Sequence, residues 1–233
     1  MAHKPGRKRA LNPETGNGGD TRSARERIVE AFMGILAEKP FEQIGLAEIA
    51  SRAGVTLAEL RANFASAFSI LAAHVKHIDS AVLAAGDEEM AEEPPRERLF
   101  DILMRRLEIL EPHKAAVRSL VNSATRNPPL ALALNGLAVR SQQWMLTAAG
   151  ISAAGPRGVV RAQGLALLFA PVLRTWIRDD DPGHARTMAA LDRALGRGQS
   201  WSGLLDGLCR ISQRLCAPRS RRGRSQSGER IAE

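Results

Sequence analysis

The chain has 233 residues, 44% of them hydrophobic and 25% charged, with a formal net charge of +8. That is enough sequence for a sizeable buried core, and the composition excludes wholesale disorder, collagen and a disulfide-stapled mini-scaffold. Two cysteines suit a reducing compartment, and the longest strongly apolar run, Gly164 to Leu173, is about half of what crosses a bilayer. The first residues carry charge without the apolar stretch of a secretory signal, so a cytoplasmic protein is expected.

In chain order, residues 1–22 hold Lys4, Arg7, Lys8, Arg9 and Arg22 against Glu14 and Asp20, a net of +3. Such a Gly- and Pro-containing segment buries too little apolar surface to fold alone and reads as a disordered basic arm, suited to phosphate. Ser23 and Glu26 have the spacing of a capping box and open a first helix, with Ile28, Phe32, Ile35 and Leu36 on one face. Pro40 closes it, because a proline pushes the residue before it out of helical space.

Residues 45–64, GLAEIASRAGVTLAELRANF, carry the most information. A short helix places Leu46, Ile49, Ala50 and Ala53 on one face, and Gly54 supplies a tight turn at positive φ. Thr56 and Glu59 form a second capping box, opening a short helix whose Leu60 and Phe64 face inward. Two short helices joined by a glycine turn, with a small residue at Ala50 for close crossing, make a helix-turn-helix pattern.

A linking helix is expected over 67–85, then an acidic, proline-containing break at 87–97. Further helices are predicted over 96–111, 113–124, 128–149, 157–178, 184–196 and 201–216. The segment 157–178 is apolar on nearly every side in its middle and belongs in the core or at a subunit interface, and Pro171 within it predicts a kink. On the helix over 201–216, Trp201, Leu204, Leu205, Leu208, Cys209, Ile211 and Leu215 fill one face. The tail 217–233 carries five arginines against Glu229 and Glu233, again +3, and reads as a second disordered basic segment. The folded part between the tails is thus nearly neutral.

No catalytic or metal chemistry assembles. Cys209 and Cys216 lack CxxC spacing or histidine partners. His74 and His77 share a helix face without a third ligand, and Asp179, Asp180 and Asp181 read as solvated loop and helix N-terminal charge. Phosphate loops, nucleophile elbows and zinc-protease motifs are absent. No enzyme, cofactor or metal site is expected.

Residues 23–71 resemble the DNA-binding region of the TetR family of transcriptional regulators, on the run from Ile44 to Phe64 and its distance from the N-terminus. The resemblance implies an all-α, TetR-like fold: a three-helix helix-turn-helix head over 23–71 and a helical ligand-binding and dimerisation body over 72–216. It implies a homodimer that binds a double-stranded DNA operator and acts as a ligand-responsive repressor controlled by a small apolar effector. The DNA-contacting candidates are Thr56, Leu57, Ala58, Arg61 and Asn63. Arg61 is suited to guanine, Leu57 and Ala58 to thymine methyls, and the arm residues Lys4, Arg7, Lys8, Arg9 and Arg22 to backbone or minor groove. Phe100, Leu103, Leu107, Trp144, Leu168 and Trp176 are the candidate effector lining.

The chain departs from the family pattern at several places. Gly45 stands where a serine or threonine usually caps the second helix, Ala47 where a basic or polar residue is common, Arg61 where a tyrosine is typical, and Ala67 where a lysine is frequent. Residues 23–71 also carry a net −1, from Arg25, Arg27, Lys39, Arg52 and Arg61 against six carboxylates. Segments 96–118 and 173–195 are similar to the ubiquinone-biosynthesis lipid-binding proteins of the same fold. That likeness implies an alternative: an isoprenoid or quinone carrier that binds no DNA and touches membranes through 201–216 and the basic tail. The intact helix-turn-helix run favours the regulator.

Overall fold

Ser23 opens the first helix as its sequence requires. Its hydroxyl accepts from the Glu26 N–H at 3.2 Å, and the Glu26 carboxylate accepts from the Ser23 N–H at 2.8 Å. The computed structural model describes residues 22–86 and 92–197. Lys4, Arg7, Lys8 and Arg9, the helix expected over 201–216 and the tail 217–233 therefore lie outside the described residues.

Helix α1 spans Ala24–Glu38, and Lys39 is already extended ahead of Pro40. A 3-10 turn over Phe41–Gln43 leads to α2, Leu46–Ala53. Gly54 ends α2 in the left-handed region, with φ 62° and ψ 38°. Thr56 and Glu59 make the expected capping box for α3, Leu57–Asn63. A third box joins Ser66 to Ser69 and opens α4, Ala67–Ala84. Serine serves here where the pattern asks for glutamate.

The body follows as α5 (Pro95–Leu110), a 3-10 turn, α6 (Lys114–Arg126), α7 (Pro128–Ala148), α8 (Gly155–Trp176) and α9 over 185–197. All described regular structure is helical, so the all-α expectation holds among the described residues. Pro171 does not end α8, which runs on to Trp176. Asp181 receives the Ala185 N–H at 3.2 Å at the start of α9, the helix-terminal role expected of it. Asp179 differs from expectation: it is buried and accepts from the Thr187 N–H and hydroxyl at 2.9 and 2.6 Å.

Two apolar clusters organise the chain. In the head, Ile28, Phe32, Ile35 and Leu36 of α1 are fully buried against Ile49, Ala50 and Ala53 of α2, with Leu60 and Phe64 beside them. Burying each of these larger side chains is worth about 1.5–3 kcal/mol, so α1 supplies most of what holds the short α2 and α3 in place. In the body, Leu103 and Leu107 meet Met145, Val172, Trp176 and Leu191. Helix α4 serves both, giving Ile70 and Leu71 to the head cluster and Ile78 and Val82 to the body cluster.

Helix α6 packs along α1, and its Ala116 is buried within the head cluster. The seam is pinned by polar contacts. The Ser119 hydroxyl donates to Lys39 O at 2.9 Å, and Ser123 Oγ accepts from the Phe41 N–H at 3.1 Å. Asn127 Nδ2 donates to Glu42 at 3.2 Å.

Two glycines are needed for different reasons. A Cβ on Gly54 would meet nothing within 4 Å, so its constraint is the backbone conformation alone. A Cβ on buried Gly158 would lie 2.0 Å from the Ala153 backbone, where the loop before α8 folds back on the helix. Gly54→Ala should therefore cost about 1–2 kcal/mol, and Gly54→Asn less. Gly158→Ala should cost about 3 kcal/mol or more, because backbone has to move. Urea unfolding of the three variants checks the order; equal losses at both sites would contradict it.

Candidate nucleic-acid interface and effector cavity

Helix α3 presents its N-terminal face outward because Leu60 and Phe64 anchor its other side. Leu57 is 56% exposed, and Ala58 and Arg61 are exposed beside it. These three form the outward face of α3. Thr56 and Asn63 are placed differently. The Thr56 hydroxyl donates to Glu59 Oε2 at 2.9 Å and accepts from the Glu59 N–H at 3.1 Å, so it serves the cap. Asn63 turns back along its own helix, donating to Glu59 O at 2.9 Å. The same cap holds the exposed Glu59 carboxyl below its ordinary pKa, chiefly through the Thr56 N–H. Gly45 opens α2 without a side-chain cap.

Four of the five head cations are engaged within the protein. Arg25 Nη1 donates to Asn63 O at 3.3 Å, with its guanidinium 4.4 Å from the centre of the Phe64 ring. Arg27 Nε donates to Ala53 O at 3.3 Å, capping the end of α2. Arg52 holds Glu38 through two bonds of 2.8 and 2.5 Å, and Lys39 meets Glu48 at 2.5 Å. Arg61 has no such partner among the described residues. Arg22, also described, is exposed, and its carbonyl accepts from Arg27 Nη1 at 3.3 Å. The straps from Arg25 and Arg27 were not legible in the sequence, because they end on backbone carbonyls that any residue could supply.

Behind the head, helices α1, α4, α5, α6, α7 and α8 surround a cavity of about 380 Å³. Its walls are mostly apolar, with Leu36 from α1, Leu71 from α4, Leu120 from α6, Leu134 from α7 and Phe169 from α8. The six side chains expected to line such a cavity are not among those that do. Leu103, Leu107 and Trp176 are fully buried in the solid body core, Phe100 packs against that core, Leu168 is half-buried, and Trp144 is 59% exposed. Periodicity finds the inward side of α5 and cannot tell a packed neighbour from a void. The wall uses Arg106 and Leu110, not Leu103 and Leu107.

The polar part of the wall is likewise absent from the sequence-based expectation. Buried Arg106 pairs with buried Asp79, which in turn accepts from the Ser141 hydroxyl at 2.8 Å. Beside them, His74 Nε2 and Gln142 Oε1 are buried with no hydrogen-bond partner. Leaving such a group unpaired costs about 1–3 kcal/mol. The His74 ring stands edge-on to His113, centroids 4.6 Å apart. Burial, and then its cationic and imidazole neighbours, push the His74 pKa down to about 4. Burial lowers His113 as well, against a raising influence from Glu30.

No group of three or more metal-ligating side chains and no helix long and apolar enough to cross a membrane occurs among the described residues.

A folded pKa below the unfolded value means that the unfolded chain binds the extra proton. His74 should thus stabilise the fold above about pH 6.5 and withdraw that contribution as pH falls toward 4. Comparing urea midpoints of wild type and His74→Leu at pH 7 and pH 5 checks this. The wild type should lose more stability on acidification; identical losses would refute the assignment.

No family model matches the chain, and no curated protein matches it in sequence. Solved structures do match. The chain is similar to a TetR transcriptional regulator from Nitrosomonas europaea, at TM-score 0.60 and 22% identity over 77% of this chain and 99% of that one. A TetR transcriptional regulator from Rhodococcus matches at 0.52 and 23%, over 75% and 95%. A TetR-family regulator from Streptomyces coelicolor matches at 0.51 and 14%, over 84% and 92%. At these identities the likeness is one of architecture. The chain has the fold of the TetR-family transcriptional regulators.

Proposed function

We propose that the protein is a DNA-binding transcriptional regulator of the TetR type, working as a homodimer in the cytoplasm and controlled by a small, mostly apolar effector. The observation that carries this reading is the helix-turn-helix: α2, a left-handed Gly54 and a capped α3 whose outer face offers Leu57, Ala58 and Arg61. Arg61 is the side chain on that face able to bond guanine O6 and N7 together. Thr56 and Asn63, engaged within the head, reach DNA only if they exchange those bonds for contacts to it.

The second copy fits the outer side of α8. Val160, Gly164, Leu167 and Pro171 recur at helical spacing there, with Val160 52% and Leu167 62% exposed. A two-fold dimer through this stripe would set two α3 helices against related half-sites about one DNA turn apart.

Control follows from where the cavity lies. Met33 and Leu36 of α1 and Val117, Leu120 and Val121 of α6 all contribute to its wall. A molecule filling it presses on the seam that fixes the head against the body. Effector binding would favour one head placement, and DNA affinity would change by linkage.

The alternative is a lipid carrier on the same scaffold. The acidic balance of the head and its internally engaged cations favour it, since phosphate neutralisation supplies most non-specific DNA affinity.

A genome-fragment binding selection with purified protein at about 150 mM salt, near physiological strength, separates the two. Enrichment of a pseudo-palindromic site is expected, and Arg61→Ala should lower the preference for that site about 10-fold to 100-fold. Recovery of no preferred sequence would reject the regulator and favour the carrier.

A further inference from the structure

The cavity wall contains more polar chemistry than an apolar ligand needs. His74 and Gln142 both line it, are 4% and 3% exposed, and each keeps a buried polar atom without a partner. A cavity built only for hydrocarbon would place leucine there, because an unpaired buried acceptor or donor weakens the fold. The charge beside them is already balanced: Arg106 is paired with Asp79, and Asp79 is bonded further to Ser141. The inner wall therefore offers hydrogen bonds and no spare charge. Arg174 also lines the cavity, but it is exposed to solvent. There water solvates both it and any anion, so it discriminates little.

We propose that the molecule this cavity takes is uncharged and mainly apolar, and that it carries a hydroxyl or amide group received by Gln142 and His74. Gln142 Oε1 accepts the ligand's O–H or N–H, and neutral His74 bonds the same kind of group through Nε2. The ligand sits with its polar group toward α4 and α7, the helices that carry His74 and Gln142. This deepens the reading of the cavity as the effector site and rests on it.

The test uses three probes of one shape, naphthalene, 2-naphthol and 2-naphthoate, in equilibrium dialysis against the full chain at pH 7. In the wild type 2-naphthol should bind about 10-fold to 100-fold more tightly than naphthalene. In Gln142→Leu that ratio should collapse toward one while naphthalene affinity is kept, which also reports that the variant is folded. His74→Leu should reduce the ratio in the same direction. Equal wild-type affinities for naphthol and naphthalene would overturn the proposal. So would naphthoate binding best with a dependence on Arg174, which would assign an acidic amphiphile held at the rim. Failure of all three probes to bind would overturn it together with the cavity's role, whereas the genome-fragment selection judges DNA binding independently.

Discussion

The packing of α1 governs the head and its attachment to the body. Its buried face carries Ile28, Phe32, Ile35 and Leu36, and its flanks carry Arg25 and Arg27, which reach across to the ends of α3 and α2. Helices of eight and seven residues are too short to be stable by themselves. They hold their shape because α1 fixes both, apolar contacts from beneath and guanidinium bonds to Ala53 O and Asn63 O from the side. The cations that could reach toward a nucleic acid are thereby drawn inward to hold the head together. What remains outward is the small face of Leu57, Ala58 and Arg61.

The same helix connects the head to the body. Its far side lies against α6, where Ser119, Ser123 and Asn127 bond the residues that end α1 and begin the next turn. Residues of both helices also line the cavity, so a ligand filling it would press on this seam. Helix α4 runs continuously from one cluster into the other. Dividing the chain after residue 71 is therefore useful for naming parts, but the two parts share a rigid element.

Much of the fold was legible in the sequence. Two serine or threonine residues three places before a glutamate, a proline and a glycine mark the ends of α1, α2 and α3, because capping and φ preferences are local. The cap at Ser66 escaped the pattern since Ser69 does the work of the glutamate. On the outer face of α3, Leu57, Ala58 and Arg61 follow from the inward anchors Leu60 and Phe64. Thr56 and Asn63 were not separable from them, because their hydrogen-bond partners depend on the folded geometry. The cavity was least legible. Helical periodicity names the inner side of α5, α7 and α8, yet whether Leu107 or Leu110 meets the void depends on crossing angles that one sequence does not encode locally. Polar wall residues such as His74 and Gln142 look like ordinary helix surface until their neighbours are in place.

Because four of the five cations of the head serve its structure, we assign the main electrostatic grip on DNA to the arm. The salt dependence of binding to non-specific duplex DNA tests this, for the full chain and for a variant with Lys4, Arg7, Lys8 and Arg9 replaced by alanine. Each phosphate that goes without its cation lowers the slope of log affinity against log salt by about 0.9. A slope smaller by about 3–4 per subunit is expected in the variant. An unchanged slope would place the grip in the head or in the basic tail 217–233, and would overturn its assignment to the arm.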